Sequence, residues 1–417
     1  MATLDFIPTY KEEEIYSIAN KSIKFDSYDD IKPYLDELVT KASTSTIKKL
    51  DFSGNTIGIE ASKFLGDVLT KLTSLEEVNF ADLFTGRLKD EIPKSLQYLL
   101  PPLIPLKKLT ILNLSDNAFG LMTIDELEDF LSKAVYLEHL ILSNNGMGPF
   151  AGARIGKSLY KLSANKKALK LSSLKTFICG RNRLENGSID YLAIGLRNHI
   201  DLQVVKLYQN GIRPQGIAKL ILQGLRFNKE LTILDLQDNT ITRKSALVLA
   251  DTLSNWLKLK ELNVNDCLLN PLGSLKLIES FHQGEILNKF EILRLQYNEL
   301  DIHALTLLKS VIADKLPNLK TLELNGNRFE EDSSIIDEIN EIFEDRGFGE
   351  LDELDDLEEL DSEDEDEEDE SEEEAEEEEI ELDELEKELE QIQEYYTPDN
   401  ENKEVEDIAT KLEKASI

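Results

Sequence analysis

One eleven-residue phrase returns ten times along this 417-residue chain, and it decides what the chain can fold into. The phrase reads IKKLDFSGNTI ending at Ile57, LEEVNFADLFT at Thr85, LTILNLSDNAF at Phe119, LEHLILSNNGM at Met147 and LKTFICGRNRL at Leu184. It continues as LQVVKLYQNGI to Ile212, LTILDLQDNTI to Ile241, LKELNVNDCLL to Leu269, FEILRLQYNEL to Leu300 and LKTLELNGNRF to Phe329. Apolar residues hold the first, fourth and sixth places. The ninth is Asn55, Asn117, Asn145, Asn182, Asn210, Asn239, Asn298 or Asn327, with Cys267 in one unit and Leu83 in another. Most ninth positions are 28 to 31 residues apart, and intervals of 34 and 37 mark two insertions. The first insertion follows Arg87 and the second contains ANKKALKLSS.

The pattern is that of a leucine-rich repeat, LxxLxLxxN/CxL. In each unit the LxL segment predicts a short strand whose leucines face the core. The Asn predicts an inward side chain that satisfies backbone groups at the sharp bend after the strand. A helix then returns the chain. RPQGIAKLILQGLRFN has apolar residues at helical spacing, and Pro214 suits a helix start. Helices take more room than strands, so a stack of such units curves. The fold class expected is α/β: a ribonuclease-inhibitor-like horseshoe with a parallel concave sheet and convex helices, followed by a disordered acidic tail. Residues 1–346 form the repeat domain, with Ile23 to Phe25 as an N-terminal capping strand.

Charge separates the rest. Gly347 to Glu386 contains 27 acidic residues and no Lys or Arg, within a chain of net charge −37. Residues 347–380 predict an acidic low-complexity tail that cannot bury enough apolar surface to fold alone. Residues 381–417 alternate leucines with charges and predict a short helical segment. The tail is either solubilising or an electrostatic guide for a basic partner. The body is nearly neutral, which disfavours nucleic acid, because phosphate binding needs clustered cations. No apolar run is long enough to span a membrane. The two cysteines, Cys179 and Cys267, read as buried thiols of a reducing compartment. The N-terminus lacks the pattern of a signal peptide.

Chemistry is sparse. His139, His199, His282 and His303 are scattered without metal-ligand spacing, and read as solvated side chains. GARIGKSLY from Gly152 to Tyr160 resembles a phosphate loop, but it is one residue too short and falls where a helix belongs. Ile155, Leu159 and Leu162 fit a core-facing stripe instead.

The informative positions lie just before each inward residue: Gly54, Asp82, Asp116, Asn144, Arg181, Gln209, Asp238, Asp266, Tyr297 and Gly326. They should point outward along one rim, as a solvated edge or as a docking surface. Asn144 is a spare Asn beside the structural Asn145. Gly146 and Gly148 keep its surroundings open, and Pro149 stiffens the turn. It is either a turn former or a rigidly held carboxamide able to donate and accept. In NFADLFTGRLKDEIP the structural Asn is missing at Leu83, and the loop should push Arg87 and Lys89 outward.

FADLFTGRLKDEIP, LSDNAFG, LSNNGMGPFAG, CGRNRLENGS, YQNGIRPQG, LDLQDNT and LNVNDCLL together resemble the Ran GTPase-activating proteins, particularly their fungal members. The resemblance runs from about Ser43 through Arg346, and an acidic tail follows in the same place. It implies a cytoplasmic activator that binds Ran in its GTP form, speeds hydrolysis in support of nucleocytoplasmic transport, and catalyses no reaction of its own. No cofactor is implied beyond the GTP and Mg carried by the GTPase. A helper Ran-binding protein is left open. The chain ends soon after the tail, without the pore-anchoring domain of vertebrate relatives, which suggests a free cytosolic protein. Asn144 matches the family's key Asn, which would hold Ran's own Gln against the attacking water. Arg87 matches an Arg of functional weight that is not a finger, and with Lys89 it would dock on Ran or order the loop. Asp116, Arg181, Asp238 and Asp266 are further contact candidates.

Two rival classes share the plan. An acidic leucine-rich scaffold or histone-binding protein has fewer, shorter repeats and lacks TGRLKDEIP. A ribonuclease-inhibitor-like binder usually carries many cysteines.

Overall fold

The computed structural model describes residues 4, 6, 8–44, 46–331, 333–357 and 387. Most of the acidic tail and of the C-terminal segment expected to be helical therefore lies outside the described residues. The described chain divides into two compact units, one up to Asn182 and one from Arg183.

In the first unit, three-residue strands pair in parallel in the order Ile15–Ser17, Lys49–Asp51, Glu77–Asn79, Ile111–Asn113, His139–Ile141 and Thr176–Ile178. The central residues Tyr16, Leu50, Val78, Leu112, Leu140 and Phe177 are buried, as inward alternation requires. Helices Tyr28–Thr44, Ile59–Leu69, Glu91–Leu99, Ile124–Lys133 and Gly148–Ala168 intervene.

The second unit repeats the plan. Its strands pair in parallel as Val204–Lys206, Ile233–Asp235, Glu261–Asn263, Ile292–Arg294, Thr321–Glu323 and Glu350–Leu351. Helices Ile189–Arg197, Thr242–Thr252, Asn270–Gln283, Ile302–Asp314 and Ser334–Arg346 alternate with them. The helix begun by Pro214 is short, Pro214–Lys219, and continues as one π turn over Leu220–Gly224. Strand, turn and helix recur in both units as a leucine-rich α/β repeat.

Buried asparagines connect the turns. Asn145 Oδ1 accepts from Asn117 N at 2.9 Å, and its Nδ2 donates to Leu114 O and Leu142 O at 3.0 and 2.8 Å. Asn145 N donates to Asn182 Oδ1 in the next repeat. Asn298 and Asn327 are joined in the same way in the second unit. Cys267 takes the Asn place, with Sγ 3.3 Å from Leu236 O, and burial pushes its thiol up to about 12. Cys179 is also buried and raised to about 12, so neither thiol is poised to react. At Leu83 the side-chain rung is absent. The Leu83 side chain is fully buried, and its carbonyl accepts from Ile57 N at 3.0 Å.

Both ends of the repeat pattern extend beyond the sequence expectation. Lys24–Phe25 is a strand, but it pairs with Thr56–Ile57 in a separate two-stranded sheet, and Ile15–Ser17 begins the main ladder. IYSIANKSI is thus a degenerate unit that lacks the leucine spacing. At the other end, Glu350–Leu351 pairs with Thr321–Leu322, past the boundary drawn at Arg346. Asp352 accepts from Leu324 N and Asn325 N and fixes that strand.

Candidate functional site

The rim positions share one backbone state. Gly54, Asp82, Asp116, Asn144, Arg181, Gln209, Asp238, Asp266, Tyr297 and Gly326 all have φ between +47° and +73°. Gly, Asn and Asp adopt this left-handed region most readily, which explains their abundance in the column. It also fixes where each side chain leaves the turn.

At Asn144, φ is +55° and the backbone N–H is bonded to Gly180 O at 2.9 Å. The side chain is exposed, and its Nδ2 donates to Asp116 Oδ1 at 2.7 Å. An ionised carboxylate only accepts, so the amide nitrogen must face Asp116 and Oδ1 must face away. Gly146 and Gly148 have positive φ, and a Cβ on either would meet nothing within 4 Å. The result is an oriented carboxamide beside open space, with an acceptor available to an approaching donor.

Arg87 does not point outward. Its side chain is only 6% exposed and forms an ion pair with Asp26. Nε donates to Thr56 Oγ1 at 2.8 Å, and Nη2 donates to Thr56 O and Phe25 O at 3.0 and 3.1 Å. Backbone carbonyls of the first turns outcompete solvent for a planar five-donor fork. The guanidinium thus ties the insertion loop to the small N-terminal sheet. Lys24 and Arg87 together hold the Asp26 carboxyl below its usual range. Lys89 follows the expectation and is exposed, as is Arg181; neither makes a hydrogen bond or ion pair among the described residues.

Asp238 and Asp266 belong to the second unit. Gln209 Nε2 donates to Asp238 Oδ2 at 2.8 Å. Burial and the neighbouring Asp238 raise the Asp266 carboxyl. With Gly211, Thr240 and Leu268 these residues line a shallow groove of about 270 Å³. The candidates therefore fall into an oriented pair (Asp116 and Asn144), two exposed cations, one pinned Arg and an acidic group of the second unit.

Sequence reading missed several features. The Phe6 ring stands edge-on to His139 at 4.9 Å, and the Tyr10 hydroxyl meets Glu77, so the N-terminal segment touches the strand layer. His199, expected to be solvated, is fully buried. GARIGKSLY lies inside helix Gly148–Ala168, with Ile155, Leu159 and Leu162 buried as expected. No described helix is long and apolar enough to cross a membrane.

A family model described as Leucine Rich repeat matches residues 227–250. Ran GTPase-activating protein 1 of Saccharomyces cerevisiae is 53% identical over 353 residues, covering 83% of this chain and 86% of that protein. This chain belongs to the Ran GTPase-activating protein family. The Drosophila melanogaster Ran GTPase-activating protein is 31% identical across 79% of this chain and 55% of its own length. Ran GTPase-activating protein 2 of Caenorhabditis elegans is 42% identical across 48% of this chain and 21% of its own. In this member of the Ran GTPase-activating protein family, the oriented pair Asp116–Asn144 is the site whose geometry calls for a chemical account.

Proposed function

We propose that this chain accelerates GTP hydrolysis by the small GTPase Ran in its GTP form, and contributes an amide where many activators contribute a cation. The observation that carries the reading is the Asp116–Asn144 hydrogen bond. With Nδ2 committed to Asp116, Asn144 Oδ1 accepts an N–H from the amide of Ran's catalytic Gln. The Gln carbonyl oxygen is then left to accept from the attacking water. The water is aligned before reaction, so the gain is positional. An arginine finger would instead place positive charge on the transferring phosphoryl group, worth roughly 10³ to 10⁵ in rate. Arg87 is spent on Asp26, Thr56 and Phe25, which supports a loop-ordering role.

Lys89, Asp116 and Arg181 then contact Ran around the amide, and Asp238 with Asp266 offers an acidic patch to a basic surface. The same reading sets the protein in the cytoplasm, where hydrolysis keeps Ran in its GDP form outside the nucleus and supports transport. A helper Ran-binding protein is compatible with it.

The test is phosphate release from GTP-loaded Ran with substoichiometric amounts of this chain. Many turnovers per molecule are expected. A scaffold or histone binder would leave the intrinsic rate of Ran unchanged.

A further inference from the structure

Apolar side chains stand exposed along the repeat that carries Asn144 and the two before it. Leu88 is 72% exposed, Met122 44% and Phe150 63%. Each lies five residues past the ninth position of its repeat, which is Leu83, Asn117 or Asn145. One register position in three consecutive repeats therefore presents a large apolar side chain to water. Leu121, 52% exposed, widens the stripe.

The fold does not demand this. The same position holds Glu60, Gly187, Gln215, Lys244 and His303 in five other repeats, and Leu272, 44% exposed, in one. Those repeats build the same strand, turn and helix, so an apolar residue there is not needed for packing. Contiguous exposed apolar surface, as opposed to scattered single residues, marks an interaction site.

The repeats that carry the three positions are neighbours. The turn Leu121–Thr123 packs against both helix Glu91–Leu99 and helix Gly148–Ala168. Gly120 N donates to Asn145 O at 2.9 Å, which joins the loops of adjacent repeats. Adjacent strands are about 4.8 Å apart and packed helices about 8–10 Å apart, so two repeats span roughly 10–20 Å. A standard interface buries about 800 Å² on each partner, a disc of roughly 16 Å radius. A protein that delivers a side chain to Asn144 therefore covers this stripe as well.

We infer that Leu88, Met122 and Phe150, with Leu121, form the apolar patch on which GTP-loaded Ran seats while Asn144 engages its Gln. This rests on the activator reading above. Seating there requires an apolar surface on Ran beside its catalytic Gln, and exposed Lys89 borders the patch with a cation. The patch does not touch the reacting groups, so it binds ground state and transition state alike. Its loss raises KM and leaves kcat in place.

The experiment is steady-state phosphate release over a range of Ran·GTP concentrations for wild type, Leu88→Ser/Met122→Ser/Phe150→Ser and the control Leu257→Ser. Leu257 is 56% exposed in the second unit. The triple variant is expected to raise KM at least about tenfold, with kcat within about twofold of wild type. Circular dichroism melts should match, since all three side chains are exposed, and Leu257→Ser should behave as wild type. An unchanged KM in the triple variant overturns the inference. So does sedimentation showing a wild-type dimer that the triple variant abolishes without a change in KM, which would make the patch a self-association surface. Failure of the activator reading itself is distinct: wild type would then give no acceleration at all.

Discussion

Asn144 Nδ2 lies 2.7 Å from Asp116 Oδ1, one repeat away, and this bond decides which end of the amide faces a partner. Asp116→Ala leaves the amide free to rotate about its terminal torsion, so its acceptor is no longer presented in one direction. The expected loss in kcat is about tenfold. Asp116→Asn retains an acceptor and should lose less. Single-turnover hydrolysis at saturating activator reads both. Equal losses in the two variants would point to charge at position 116 as the working feature.

Adjacent asparagines should give opposite phenotypes. Asn145 is buried and serves Asn117 N, Leu114 O and Leu142 O. Asn145→Leu leaves these buried groups without their partner and should cost about 2–4 kcal/mol in urea unfolding. Asn144 carries no such burden. Its replacement by Ala costs about 1 kcal/mol or less, from the left-handed backbone. A stability loss at Asn144 as large as that at Asn145 would contradict the division between structural and presented amide.

The repeat period was legible because eight of the ten units place an Asn at the bend, and a ninth position recurring mostly every 28 to 31 residues has no other simple cause. The rim followed directly, since the residue before an inward side chain must leave the turn outward. Ile15–Ser17 was hidden because Tyr16 and Ile18 fill the core without the leucine spacing. Glu350–Leu351 was hidden inside an acidic run, where composition argues against a strand. Arg87 was misjudged because its partner Asp26 is 61 positions earlier, and no local pattern pairs them. The burial of His199 is likewise a matter of tertiary packing.

Arg87→Ala should loosen the insertion loop. It removes donors from Thr56 O and Phe25 O and frees Asp26, at a cost of about 1–3 kcal/mol. Ran activation should then show a raised KM, and limited proteolysis should cut faster between Thr85 and Asp90. Arg87→Lys keeps the charge but not the fork, and should recover only part of the loss. A large fall in kcat with unchanged stability and proteolysis would instead assign Arg87 a direct role at the phosphates.

Asp235 should set a pH dependence. Burial raises its carboxyl from 3.8 to about 6, against the Gln237 N–H bond and Lys206, which favour the charge. The folded chain therefore holds the proton more tightly than the unfolded chain. Stability from this group is greatest below about pH 4, falls as pH rises toward 6, and is flat above that. Asp235→Asn keeps the acceptor for Gln237 N and should stabilise the protein by about 1–3 kcal/mol at pH 7.5, with little effect at pH 4. Urea midpoints at the two pH values check the sign. A variant equally stabilised at both would remove the proton linkage from the account.

The central claim is that a side-chain amide of this chain positions the partner's catalytic Gln and supplies no charge. Single-turnover hydrolysis of Ran·GTP with saturating Asn144→Ala protein measures it most directly. The account expects the rate to fall by about 10² or more, with binding of Ran·GTP within about threefold of wild type. Hydrolysis at the wild-type rate with Ala at position 144 would contradict it.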